Sequence, residues 1–408
     1  VTNIWHPFTQ HATAPAPLAV AKGEGATLIL EDGRRIIDGI SSWWVTTHGH
    51  NHPRIMAAIR AQTEKLDQVI FAGFTHAPAE TLAAEMLKIV PPGLRHVFYS
   101  DSGSTAVEVA LKMALGFWHN RATPRTKIIA LEHAYHGDTI GTMAAGARGV
   151  FNAAYEPLLF DVARLPFPSD PKATLAALER EAPTAAALIV EPLLLGAGGM
   201  LMYAPEILRD MKAICERHGT LFIADEVLTG FGRTGTLFAC EQAGITPDIL
   251  CLAKGLTGGA LPLAATLATP AIFNAHYSQD RRKTFFHSSS YTANPIACAA
   301  ACENLAIWQG EPVRERIATL AAMQEDRLAP LRSDPRFGNV RRLGTVAALD
   351  VSVSDPGYLA DAGPLMAAKF LEQGVLLRPL GNTIYVLPPY CITGAELDTI
   401  YAAILAAL

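Results

Sequence analysis

The sequence predicts an α/β protein: a large domain with a mostly parallel sheet, plus a smaller α+β domain assembled from both chain ends. Three observations predict this. Short apolar runs alternate with helical segments through the middle of the chain, the alternation that produces parallel strands joined by crossover helices. Those runs are apolar throughout rather than alternately, as strands covered on both faces must be. The first 40 or so residues and the stretch after Trp308 break the pattern. The predicted division is an N-terminal segment over 1–51 that joins the small domain, a large domain over 52–309 and a C-terminal small domain over 310–408.

In chain order, ATLILEDGRRIIDGI reads as two strands about the turn Asp32-Gly33. PRIMAAIRAQTEKL and PAETLAAEMLKIV have helical period. The strand HVFYS then leads to a helix from Ser104 to about Asn120. KIIALEH, AALIVEP, TLFIADE, DILCLAK and LAATLAT are further strands, and PEILRDMKAICERHG is a helix. Beyond Trp308 come a mixed-charge helix (EPVRERIATLAAMQEDRLAPL), strands in RRLGTVAALDV, GVLLRPL and NTIYVLP, and a final helix AELDTIYAAILAAL.

Composition limits the function. Half of the 408 residues are apolar, 17% are charged and the formal net charge is −5. Such a balance fits a large core or an extensive subunit interface and gives no basis for nucleic-acid or membrane-surface binding. Gly255 to Gln279 carries no acid, lysine or arginine, but its glycines, Pro262 and Pro270 mark loop, buried strand and short helix rather than a membrane span. The N-terminus VTNIWHPFTQ lacks the basic and apolar regions of a secretory signal. Six cysteines without CxxC spacing are expected to be buried thiols in a reducing compartment, hence the cytoplasm, and no metal site is expected.

The chemistry is carried by two residues. Asp225 ends the apolar run TLFIAD, and Lys254 follows the next run in CLAKG. A lysine amine can form a Schiff base with the aldehyde of pyridoxal phosphate (PLP). A carboxylate can keep the pyridine nitrogen protonated, so that the ring accepts electrons from a substrate carbon. In DSGSTAVEVALK, Gly103 and Ser104 open a helix, whose free N–H groups and dipole favour a phosphate. Tyr135 and His136 lie just past KIIALEH, where an aromatic can stack on a flat heterocycle. Glu191 ends another strand, and Val227 follows Asp225 closely enough to press on the ring. Arg233 and Arg378 are candidate carboxylate anchors. Trp43 and Trp44, read as a strand, would face opposite sides, one to the core and one to a pocket.

The set DSGS, YHGDT, EP…GAGG, ADEV…GFGRTG and AKG resembles the class III PLP-dependent aminotransferases, of the aspartate aminotransferase fold, across almost the whole chain. WHPFTQ, SSWW, THAPA, GAGGM and NPIACAAA are most similar to the branch that aminates 8-amino-7-oxononanoate. The resemblance implies PLP as cofactor, with Lys254 as Schiff-base and proton-shuttle residue. It implies Asp225 at the pyridinium, Val227 and Tyr135 at the ring, and Gly103 and Ser104 at the phosphate. It also implies a homodimer with shared sites, in which Ser289 and Ser290 reach the neighbour's phosphate and Ser288 makes a backbone contact to substrate. Trp43 and Trp44 would wall the substrate channel, Arg378 would hold the substrate carboxylate, and Phe8 would contact substrate.

The chain departs from the branch at three places. A tyrosine is usual where Phe8 stands, and some relatives with Phe take lysine rather than S-adenosylmethionine as amino donor. Leu195 stands where a glutamine is expected, and HSSSY replaces HGPTF or HGHSY. An ω-amino-acid–pyruvate or polyamine aminotransferase of the same class is the other reading, with Arg233 as the carboxylate switch.

Overall fold

The computed structural model describes residues 3–353 and 356–408. Its centre is a seven-stranded sheet in the spatial order His96–Ser100, Ala264–Ala268, Ile249–Leu252, Leu221–Asp225, Ala185–Val190, Lys127–Leu131, Val162–Leu165. The last five of these run parallel. Ala264–Ala268 alone runs against both of its neighbours.

Alternation of side chains explains the apolar runs. Leu188 and Val190, Phe222 and Ala224, and Leu250 and Leu252 enter one buried cluster. The residues between or beside them, Ile189, Ile223 and Cys251, enter another on the opposite face. Successive strand residues point to opposite faces, so a sheet covered on both sides needs apolar residues at every position.

The helix Gly103–Asn120 packs on this sheet and starts from a reciprocal cap: Ser102 Oγ accepts from Thr105 N, and Thr105 Oγ1 accepts from Ser102 N. Pro53–Thr63, Ala77–Ile89, Pro205–His218, Val313–Leu328 and Gly394–Ala406 form helices where the periodic pattern places them.

A second sheet joins Val20–Glu24, Thr27–Leu30, Arg35–Asp38 and, parallel to the last, Val375–Leu376 from the far end of the sequence. The turn between Thr27–Leu30 and Arg35–Asp38 holds Gly33 at a φ of 86°, a conformation glycine adopts without strain. A third sheet is antiparallel: Phe337–Leu343, Val346–Val351 and Thr383–Val386.

Four expectations are corrected. RRLGTVAALDV is two strands, broken at Gly344, where a side chain would overlap the backbone of Thr234 and Gly235. GVLLRPL contributes only the two-residue strand Val375–Leu376. Ser41–Trp44 is a distorted helical turn, not a strand, with Ser41, Ser42 and Trp44 at positive φ. The thiols form no disulfide, but Cys391 is exposed and Cys302 half-buried rather than buried. Among the described residues no helix is long and apolar enough to cross a membrane.

Candidate functional site

The parallel strands deliver their C-terminal ends to one edge of the central sheet, where open α/β sheets bind ligands. Asp225 is the last residue of Leu221–Asp225, and Lys254 follows Ile249–Leu252 at the start of a short 3-10 turn. Tyr135 and His136 follow Lys127–Leu131, and Glu191 follows Ala185–Val190. Ser102, Gly103 and Ser104 begin the helix after His96–Ser100. A cavity of about 160 Å³ lies among them, lined by Gly103, Ser104, Tyr135, Asp225, Val227 and Lys254.

Each polar group in this cavity is fixed by others. Asp225 Oδ2 meets His136 Nδ1 at 2.7 Å, and Oδ1 accepts from Val227 N at 3.2 Å. His136 Nε2 is buried and has no partner among the described residues. Glu191 accepts from Tyr135 N (2.9 Å) and from Gly196 N (3.0 Å). Burial, opposed by His136, raises its carboxyl to about 7. Burial also lowers the pKa of Lys254, against the pull of Asp225 and Glu191, and its amine sits 5.2 Å from the centre of the Trp44 ring.

This donor set fits pyridoxal phosphate. The capped helix leaves the N–H groups of Gly103 and Ser104 without acceptors among the described residues, which is what a phosphate requires. Glycine is needed at 103, because a β-carbon there would come within 2.6 Å of Val227 Cγ1. A lysine of lowered pKa suits aldehyde chemistry, and a doubly held carboxylate suits a protonated ring nitrogen.

A second cavity of about 410 Å³ adjoins the first and shares Trp44, Tyr135 and Lys254 with it. Phe8, Trp43 and Arg378 line its outer part. Trp43 is 42% exposed and Trp44 is buried, yet both line the cavity. The Phe8 and Trp43 ring centres are 5.6 Å apart, and the Arg378 guanidinium lies 5.1 Å from the Trp43 centre.

The structure does not bring every candidate here. Ser288, Ser289 and Ser290 line neither cavity within one chain. They sit in a turn tied by Thr292 to Ser289 and by Gln68 to the Ser290 carbonyl. Arg233 is 1% exposed and donates to the carbonyls of Trp44, Thr46 and Pro388, so its guanidinium clamps loops together rather than lining the cavity. Leu195 is fully buried in a two-stranded ribbon with Leu201–Met202. Sequence reasoning missed Ser102, Phe151, Tyr358 and Tyr385. Tyr385 carries only the signal of a buried strand residue. Phe151 and Tyr358 stand in loops, where no periodicity marks them.

The family model for class-III aminotransferases matches residues 8–408. The chain is similar to the adenosylmethionine-8-amino-7-oxononanoate aminotransferase of Synechococcus elongatus, with 49% identity over 98% of this chain and 97% of that one. It is also similar to the solved structure of the Methanocaldococcus jannaschii protein of that name, with a TM-score of 0.95 and 36% identity over 99% and 97% of the two chains. A PLP-bound amine transaminase from an uncultivated Pseudomonas species superposes with a TM-score of 0.92 and 35% identity, over 100% and 98% of the chains.

Proposed function

The chain belongs to the class-III aminotransferase family, and on that premise we propose that it aminates 8-amino-7-oxononanoate to 7,8-diaminononanoate, a step of biotin synthesis, with pyridoxal phosphate as cofactor. One observation carries the reading. Lys254 stands at the junction of a cavity lined by Ser104, His136, Glu191 and Asp225 and a largely apolar one that ends in Arg378, which has no hydrogen bond or ion pair among the described residues.

When bound, the cofactor supplies an electron sink for the substrate carbon that bears the amino group. Gly103 and Ser104 would hold its phosphate by backbone N–H groups and the Ser104 hydroxyl. Asp225 would keep the ring nitrogen charged through a charge-assisted hydrogen bond. Val227 and Tyr135 would pack against the ring. Lys254 Nζ would anchor the cofactor and move the proton at the substrate carbon, a task that needs a neutral amine. Its burial favours that state. Trp43, Trp44 and Phe8 exclude water from the channel, and Arg378 takes the acceptor's carboxylate. A second copy of the chain supplies Ser289 and Ser290 to the phosphate and the Ser288 backbone to substrate, which makes the enzyme a homodimer. We assign S-adenosylmethionine as donor, with lysine as the alternative that Phe8 raises, and the cytoplasm as the location.

The test is direct. Purified enzyme loaded with PLP, given 8-amino-7-oxononanoate and either donor, should form 7,8-diaminononanoate. The similarity to an amine transaminase favours a second reading, amination of other ketones or aldehydes from ω-amino donors. Strong activity with β-alanine and pyruvate, and none with the oxo-acid, would establish that reading instead. The occupation of Arg233 by three carbonyls weighs against it, because that reading uses Arg233 as its carboxylate switch.

A further inference from the structure

The outer end of the larger cavity collects hydrogen-bond donors with no acceptor among the described residues. Arg378 makes no hydrogen bond or ion pair among the described residues and only stacks on Trp43. Tyr385 accepts from Trp44 Nε1 at 3.0 Å, so its own O–H remains to be given. Tyr358, in the loop after Val346–Val351, lines the same cavity, and its hydroxyl has no partner among the described residues. The three are neighbours: Arg378 and Tyr358 both lie close enough to the Tyr385 phenol to perturb its titration, in opposite senses. Asp138, the one carboxylate lining the cavity among the described residues, is engaged with Tyr135, whose titration it pushes up after burial.

Three donors facing one end of a cavity, Tyr385 buried and Arg378 and Tyr358 half-buried, suit an anion, because a carboxylate takes charge-assisted hydrogen bonds from all of them. Tyr358 is also held in place. Its ring meets Phe151 edge-on at 4.5 Å, and Phe151 in turn meets Phe8 at 6.1 Å. Four aromatic rings from four distant parts of the chain (Trp43, Phe8, Phe151, Tyr358) thus form a row along the cavity. A phenol at the end of such a row is pre-positioned, so little side-chain freedom is lost when it donates.

We propose that Tyr358 is a substrate-specificity residue, whose phenol donates a hydrogen bond to the acceptor's carboxylate beside Arg378. This rests on the reading of the acceptor as a carboxylate-ended oxo-acid. The bond ties acceptor choice to a loop of the C-terminal region and makes the anion site a device of several donors rather than a lone arginine.

The experiment compares PLP-loaded wild-type enzyme with Tyr358→Phe, which keeps the contact to Phe151 and loses only the hydroxyl. A hydrogen bond to a charged group predicts a KM for 8-amino-7-oxononanoate raised by about tenfold to a hundredfold, with kcat little changed. The half-reaction with the amino donor, followed by cofactor absorbance, should proceed at the wild-type rate. The methyl ester of the oxo-acid, which lacks the negative charge, should show nearly the same KM with both enzymes. An unchanged KM for the acid in Tyr358→Phe overturns the proposal, as does an equal rise for acid and ester. Wild-type enzyme that does not convert the oxo-acid at all overturns the parent reading, and this one with it.

Discussion

His136 Nδ1 lies 2.7 Å from Asp225 Oδ2, and both side chains are buried. With the Val227 N–H on the other oxygen, the carboxylate is held from two sides and keeps one orientation. His136 acts through Asp225 and is a positioning residue. Replacing it with leucine removes a bond to a charged group, worth on the order of 1.5–3 kcal/mol. We expect PLP to bind about ten to a hundred times more weakly, measured by titration of cofactor absorbance, with His136→Asn restoring part of the loss. Unchanged affinity in the leucine variant would show that Asp225 needs no such support.

Lys254→Ala should lower turnover by about a thousandfold or more, because it removes both the covalent hold on the cofactor and the proton carrier. The absorbance of the lysine-bound cofactor should disappear as well. Near-normal activity in this variant would end the assignment.

Glu191 links the strand Ala185–Val190 to the Tyr135 loop by accepting two backbone N–H groups. Glutamine offers a single acceptor oxygen, so Glu191→Gln leaves one N–H facing an amide NH₂. We expect a loss of about 1–3 kcal/mol in stability at pH 7 and a shifted Tyr135, seen as reduced activity.

The same carboxyl is raised to about 7, so the folded chain holds this proton more tightly than the unfolded chain does. Its contribution is complete below the unfolded value near 4.5 and fades as pH rises through 7. Chemical denaturation of apoenzyme from pH 5 to 8 should therefore show wild type losing stability relative to Glu191→Gln. A difference between the two that is flat with pH would contradict the shift.

His48 has the opposite sign. Desolvation lowers it to about 4, opposed by its Nε2 bond to Asn304 (2.8 Å) and by Glu311, with His52 and Arg316 adding to the lowering. Stability from the neutral ring is full above about 6.5 and is lost as pH falls toward 4. His48→Gln should flatten the acid limb of a stability profile by on the order of 3 kcal/mol at most. An unchanged acid limb would place the proton uptake elsewhere.

Much of the cofactor cavity was legible in the sequence because it is built at strand ends. Asp225, Lys254, Glu191 and Tyr135 each follow an apolar run, and parallel strands carry whatever follows them to the same edge. Gly103 and Ser104 were legible as a helix start. For the channel, the resemblance pointed to Phe8, Trp43, Trp44 and Arg378, which line it, but not to Phe151 or Tyr358. The strand geometry expected at Trp43 and Trp44 does not occur, because positive φ at Ser41, Ser42 and Trp44 cannot be inferred from residue type. Arg233 and Arg378 are alike in sequence, and packing separates them: one is wrapped in carbonyls, and the other is left to a cavity.

The amino-acid sequence by itself determined the strand–helix alternation and the chemistry waiting at the sheet edge, since local periodicity and chain direction suffice for both. Tertiary structure alone decided that Phe151 and Tyr358 share a cavity with Phe8, Trp43 and Arg378 and that Arg233 does not. Phe8, Trp43, Phe151, Tyr358 and Arg378 come from distant segments, and only the docking of chain ends onto the central sheet gives them a common cavity.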